Sequence, residues 1–293
     1  MAERIVQRYG AFVKEASPPS AEADPPAFRL CVEIDAHRRP PGLHREWVAN
    51  PRYRAEGDLD AVVIDGAEFS GELSWTAGSG RIVVPDSLAH VDLFVRVVLG
   101  VALLRRGDAT LIHAAGIVRH RWGLAFSGPS GAGKSTIAAI CRREGLTVLA
   151  DEMLVVRRDG AGTRLDGTPL WHGCRTSAPA AAIFVLEQAD GPAVERLSPA
   201  DALAPLMRAG GAPLELPTIQ QAFFEALAAV LRRVPAYRLR FAPDGGFFAA
   251  IDRLSEFSFW RARPATPASA VFPLRRSGSS AAPKLAPSDC GDH

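Results

Sequence analysis

From Phe28 onward, apolar and polar positions alternate in short runs: "FRLCVEI", "DAVVIDG", "EFSGELSW" and "GRIVVP". Gly, Pro or Asp closes each run, and a period of two bounded by turn formers predicts half-buried strands in a meander. At 88–106 the pattern lengthens into an almost unbroken apolar stretch, with "VDLFVRVVLGVALL" at its centre and Arg105-Arg106-Gly107 as a stop. That predicts a buried helix. "ATLIHAAGIVRHRWGLAFSG" predicts two strands joined by a turn at 119–123, and "KSTIAAICRRE" a helix closed by Gly145. "LTVLAD" and "MLVVRR" predict strands, with "DGAG" (159–162) as a hairpin turn. "AAIFVLEQ", "AVERLS" and "AYRLRFAP" predict further strands. Ser198-Pro199 opens a helix, and "PTIQQAFFEALAAVLRRV" is a strongly amphipathic one.

The expected organisation is one mixed α/β domain over 28–262, with its densest motifs at 108–175. Residues 1–27 are polar and Ala/Pro-rich and are expected to be loosely ordered; 263–293 form an Ala/Pro/Ser-rich tail expected to be disordered. With 47% of 293 residues hydrophobic, a sizeable core is available. The strands of 28–107 are expected to complete the same sheet as those that follow.

A net charge of +2 with scattered arginines argues against nucleic acid as a partner. The longest apolar run is short for a bilayer and carries Arg96, so no membrane partner is expected, and without an apolar leader the expected compartment is the cytoplasm. Four widely spaced cysteines lack zinc spacing and are expected to be reduced.

The chemistry concentrates in "GPSGAGKST", Gly128–Thr136, which matches G-x-x-x-x-G-K-[ST] in full. From average residue usage such a match arises by chance about one time in a hundred in a chain of this length. Gly128, Pro129, Ser130, Gly131, Ala132 and Gly133 would turn backbone N–H groups inward around phosphate oxygens. Lys134 would bring a cation to the β/γ phosphates, Ser135 would offer a hard oxygen to Mg²⁺, and Thr136 extends the cradle into the helix. The expected cofactors are therefore ATP and Mg²⁺.

Only one helix separates this loop from "LTVLADE", which brings Asp151 and Glu152 to the carboxyl end of the next strand. One carboxylate can hold metal while the other accepts a proton from an attacking hydroxyl. Motor and transport ATPases usually carry a long insertion here, and no "LSGGQ"-like stretch or guanine-reading Asn/Thr-Lys-x-Asp is present. Small, specialised kinases remain.

His113 in "TLIHAAGIV" precedes the loop strand. A His, a hairpin, the cradle, one helix and an acidic pair, in that order, resemble the catalytic domain of HPr kinase/phosphorylase. The likeness covers about 108–175 through "LIHAAGIV", "GPSGAGKST" and "LADE". It implies an HPr kinase/PEP carboxykinase-like P-loop fold with a mixed sheet. It also implies that Asp151 is the base, His113 orients it, and Glu152 helps Ser135 hold magnesium. The pattern departs from that family in having Asp151-Glu152 for two aspartates and Ala114 for a glycine. It is closer to the short HPr kinase-like proteins of lasso-peptide maturation systems. The implied reaction is transfer of the γ-phosphate to a serine of a precursor peptide or small protein. The family's ring assemblies imply a homo-oligomer. The alternatives are a carrier-protein serine kinase, a small-molecule hydroxyl kinase, and a non-catalytic nucleotide-binding module. "GTPLWHG" (167–173) reads either as a wall of the acceptor site, with Arg175 as a clamp, or as a plain connecting loop. Arg232, Arg233, Arg238 and Arg240 read either as cations for phosphate or for a carboxylate-bearing peptide or, the favoured reading, as a solvated helix end and strand face.

Overall fold

The computed structural model describes residues 1–9, 28–37, 53–66, 69–160, 162–170, 173–242 and 246–254. The described residues form a strand-rich, mixed α/β fold with two sheets. After helix α1 (Ala2–Tyr9), the strands β1 (Arg29–Ile34), β2 (Tyr53–Gly57), β3 (Ala61–Gly66), β4 (Ser70–Ser74) and β5 (Ser79–Val84) pair in the order β1-β5-β4-β3-β2. This corrects one expectation: the early strands do not complete the main sheet but form their own. Residues 2–9, expected to be loosely ordered, form α1, whose Tyr9 hydroxyl donates to Asp92. Helix α2 (Leu88–Arg106) follows, and the predicted stop at Gly107 is a left-handed cap with φ 72.

Helix α2 is apolar on two sides because each side is covered by a different sheet. Val91, Phe94, Val97, Val101 and Leu104 pack into one core with Val62, Ile64, Leu73, Ile82 and Val84 of the first sheet. Val95, Leu99 and Leu103 face Ala109, Leu111, Met153 and Val155 of the second. The contact with the first sheet is close: a Cβ on Gly71 would lie 2.6 Å from the Phe94 ring. Burying one such Phe contributes roughly 1.5–3 kcal/mol.

The second sheet contains β6 (Ala109–Arg119), β7 (Trp122–Ser127), β8 (Thr147–Ala150), β9 (Met153–Asp159), β10 (Gly162–Asp166), β11 (Ser177–Gln188), β12 (Ala193–Leu197) and β13 (Ala236–Phe241). The path is β10-β9-β6-β7-β11-β13-β12, with β8 also on β6. Because β10 additionally pairs with β11, the ring β6-β7-β11-β10-β9 closes on itself. The helices are α3 (Lys134–Arg143), α4 (Pro199–Arg208), α5 (Pro217–Leu231) and α6 (Phe247–Ile251). Ser198 caps α4 as predicted, accepting from the Asp201 N–H at 3.1 Å. The β6–β7 turn is made by His120 and Arg121, both at positive φ (48 and 69), without a glycine.

Alternation along β6 decides where the site lies. Ala109 and Leu111 belong to the core under α2, whereas Ala115 and Ile117 belong to the core that contains Ile137, Ala138 and Cys141 of α3. His113 is the odd position between them. It therefore faces the gap between the two helices, one of which begins at the glycine-rich loop 128–133.

Candidate functional site

The loop 128–133 joins β7 to α3, the strand–loop–helix context that the motif requires. Gly133 caps α3 at φ 105, and a Cβ there would lie 2.6 Å from the Phe241 ring. Both the backbone conformation and the space therefore demand glycine. Lys134 is 5% exposed, and its Nζ donates to the carbonyls of Gly128 at 2.8 Å and Pro129 at 3.1 Å. Burial pushes the Lys134 ammonium below its ordinary pKa, while the charge of Glu152 draws it partly back. Ser135 and Thr136, by contrast, are exposed on the first turn of α3.

β8 and β9 both run antiparallel to β6, on the same side of it, with Ala150 opposite Gly116 and Met153 opposite His113. Asp151-Glu152 is thus the corner in a nearly continuous strand, stitched to β6 by the Ala114 N–H to the Glu152 carbonyl at 3.0 Å. Strand β7 ends opposite Ala114, so the loop and the acidic corner leave the sheet within a few residues of each other.

The two carboxylates diverge. Asp151, 13% exposed, pairs with Arg142 of α3 at 2.8 Å, and its Oδ1 is buried with no hydrogen bond among the described residues. Glu152 Oε2 lies 2.7 Å from His113 Nε2. The resemblance implied that His113 orients Asp151; its hydrogen bond goes instead to Glu152. His113 Nδ1 lies 2.7 Å from the Ala209 carbonyl, which can only accept, so this nitrogen carries a proton. Burial alone would raise the Glu152 pKa. The His113 hydrogen bond and the charges of His113, Lys134 and Arg96 outweigh it, so the carboxyl sits below its ordinary value. Glu152 is 40% exposed and His113 15%, so the carboxylate is the member that meets solvent.

Three supports escaped the sequence reading. Arg96 of α2 donates to the carbonyls of Gly210 and Ala212, both at 2.9 Å, and so fixes the α4–α5 loop that supplies the Ala209 carbonyl. Thr168 Oγ1 donates to the Met153 carbonyl at 2.7 Å, and the Cys174 N–H donates to the Leu149 carbonyl at 2.9 Å. The 167–174 loop thereby clamps both flanks of the acidic corner. Its Trp171 and His172 lie outside the described residues, and Arg175 is exposed. Third, Gln188 Nε2 donates to the Gly131 carbonyl at 2.7 Å, tying the end of β11 to the loop tip. No local pattern marks any of these, because each partner is distant in sequence. Arg238 and Arg240 pair with Glu187 and Glu195 on the strand face, in keeping with a solvated role.

A family model described as "SynChlorMet cassette protein ScmC" matches residues 85–256. The chain belongs to the ScmC family. The ScmC match begins directly after β5 and runs past α6, so it takes in the glycine-rich loop, His113, the acidic corner and the clamp around it, and leaves the first sheet outside. No curated protein matches the chain in sequence. Among solved structures, the HPr(Ser) kinase/phosphatase from Coxiella burnetii aligns with 52% of this chain and 92% of its own, at 9% identity and a TM-score of 0.30. Among the described residues no helix is long and apolar enough to cross a membrane, and no three His, Cys, Asp or Glu side chains are grouped to hold a metal.

Proposed function

We propose that this protein is an ATP-dependent kinase that transfers the γ-phosphoryl group to a hydroxyl, with a serine of a peptide as acceptor. The observation that carries this reading is the Glu152 carboxylate, hydrogen-bonded to His113 at 2.7 Å and electrostatically coupled to Lys134 of the phosphate loop. A half-exposed, ionised carboxylate beside a phosphate cradle suits acceptance of a proton from an attacking hydroxyl. We assign the base to Glu152 on this ground, in place of Asp151, which is turned toward Arg142.

The division of labour follows from the chain's own groups. Lys134 and the loop N–H groups would stabilise the charge that develops on the transferred phosphoryl oxygens. His113, protonated on the nitrogen facing Ala209, holds the Glu152 carboxylate in one orientation. For the magnesium that the motif implies, Ser135 would offer an exposed hydroxyl, and Asp151 a carboxylate oxygen that makes no hydrogen bond among the described residues. When bound it would neutralise phosphate charge. The serine and peptide specificity rests on the likeness of "LIHAAGIV", "GPSGAGKST" and "LADE" to HPr kinase-like proteins of lasso-peptide systems.

Mass spectrometry of the full chain with ATP, Mg²⁺ and the short peptide encoded beside its gene tests the reading. The expected result is a peptide heavier by one phosphoryl group, absent with Glu152→Gln. ADP release without a modified peptide would redirect the acceptor to carrier proteins or small hydroxyl compounds. No ADP at all would overturn the kinase.

A further inference from the structure

A cleft of ≈ 540 Å³ opens beside the phosphate loop, lined by Gly131, Gly133, Thr136, Gln188, Asp190 and Phe241, with Ala189 and Ala242 completing the wall. That volume lies within the roughly 300–1,000 Å³ typical of small-molecule sites. We propose that this cleft is the nucleoside site, and that Asp190 holds the ribose hydroxyls. The proposal rests on the phosphate-loop reading above and adds the direction in which the nucleotide lies.

The polarity comes from the loop itself. Lys134 is buried and its ammonium reaches the Gly128 and Pro129 carbonyls at the start of the loop, which marks the γ-phosphate end. Thr136, two residues further along the same helix, lines the cleft on the other side. A triphosphate laid along 128–135 with its γ end at Lys134 must leave the loop at Thr136, and the cleft is what it then meets. The walls suit a nucleoside. Phe241 gives an apolar surface, held in place by its contact with Gly133. Gln188 is fixed by its bond to the Gly131 carbonyl, which ties this wall to the loop. Asp190 is exposed at the rim and, as a carboxylate, can accept from two adjacent hydroxyls at once. The elements that build the cleft, the loop and the ends of β11 and β13, all leave the sheet at one edge, because these strands run parallel to β7 or to one another.

Titration calorimetry of the full chain with ATP, dATP and inorganic tripolyphosphate, each with Mg²⁺, separates this proposal from the reading beneath it. The wild type should bind ATP more than about tenfold tighter than tripolyphosphate, a difference of about 1.4 kcal/mol. Ala189→Trp should remove that advantage while leaving tripolyphosphate affinity within about twofold, and Asp190→Ala should bring ATP and dATP to equal affinity. ATP binding no tighter than tripolyphosphate would overturn the nucleoside site, as would an unchanged preference for ATP over dATP in Asp190→Ala. Failure of the wild type to bind either polyphosphate would instead sink the phosphate-loop reading.

Discussion

His113 bridges two acceptors on opposite sides of its ring: the Ala209 carbonyl at 2.7 Å from Nδ1 and the Glu152 carboxylate at 2.7 Å from Nε2. With Nδ1–H fixed by a carbonyl, the remaining contact holds a single proton shared between imidazole and carboxyl. The hydrogen bond and nearby positive charges favour ionised Glu152.

The first prediction concerns pH. Because the Glu152 pKa is lowered, its carboxylate stays ionised at neutral pH, and with Glu152 as the proposed base the acidic limb of kcat/KM should fall below the ordinary glutamate range. His113→Gln removes the largest lowering influence and leaves burial, which raises the pKa. The acidic limb should therefore move to higher pH. A pH–rate profile checks this, and an unmoved limb would mean that another group sets it. Glu152→Gln should cost about 10²–10⁴ in kcat with nucleotide affinity retained.

Lys134→Met should leave the fold intact, since it replaces a buried ammonium whose partners are two loop carbonyls with an apolar chain of similar length. What it should lose is stabilisation by ATP. At a ligand concentration 100 times Kd, binding adds about 2.7 kcal/mol, or roughly 5–10 °C in Tm for a protein of this size. Thermal melts with and without ATP should show that gain in the wild type and none in the variant.

Asp151→Asn separates two roles for the carboxylate. Its pairing with Arg142 involves a partner that is 44% exposed and contributes on the order of 0–1 kcal/mol. The melting temperature should therefore hardly change. If Asp151 Oδ1 serves the cation, the Mg²⁺ concentration needed for half-maximal activity should rise about tenfold or more while ATP affinity without metal stays put; the range reflects loss of one anionic ligand. A Mg²⁺ requirement unaltered in the variant would remove Asp151 from that role.

Gly133→Ala should be among the most damaging small substitutions. It combines left-handed strain with a collision at Phe241, together about 2–4 kcal/mol, and should lower Tm by roughly 5–15 °C. Gly131→Ala meets no neighbouring atom and should cost only the strain of its φ of 83. Differential scanning calorimetry of the two variants gives the comparison directly.

Arg96→Met should act at a distance. Loss of its bonds to Gly210 and Ala212 frees the carbonyl that holds His113, so kcat should fall more than nucleotide affinity, and the acidic limb should shift as in His113→Gln. A drop in stability with an unshifted limb would make Arg96 structural only.

What the chain determined unaided is what its short-range chemistry dictates. The period-two runs became strands and the unbroken apolar run at 88–106 became a helix, because local periodicity and caps act within a few residues. The strand–loop–helix unit around "GPSGAGKST" was equally legible, since its glycines, lysine and serine are consecutive. Even the nearness of the loop to Asp151-Glu152 could be read from the single helix between them. Tertiary structure decided the rest. Whether the early strands joined the main sheet depended on α2 having two apolar sides, each claimed by a different sheet. Which carboxylate met His113 depended on the corner between β8 and β9, where one residue of register sends Asp151 toward Arg142 and Glu152 toward the gap between α2 and α3. Arg96, Ala209, Thr168 and Gln188 entered the site from far along the chain. Hydrogen bonds of that kind leave no periodic trace, because each is set by where two distant backbones cross.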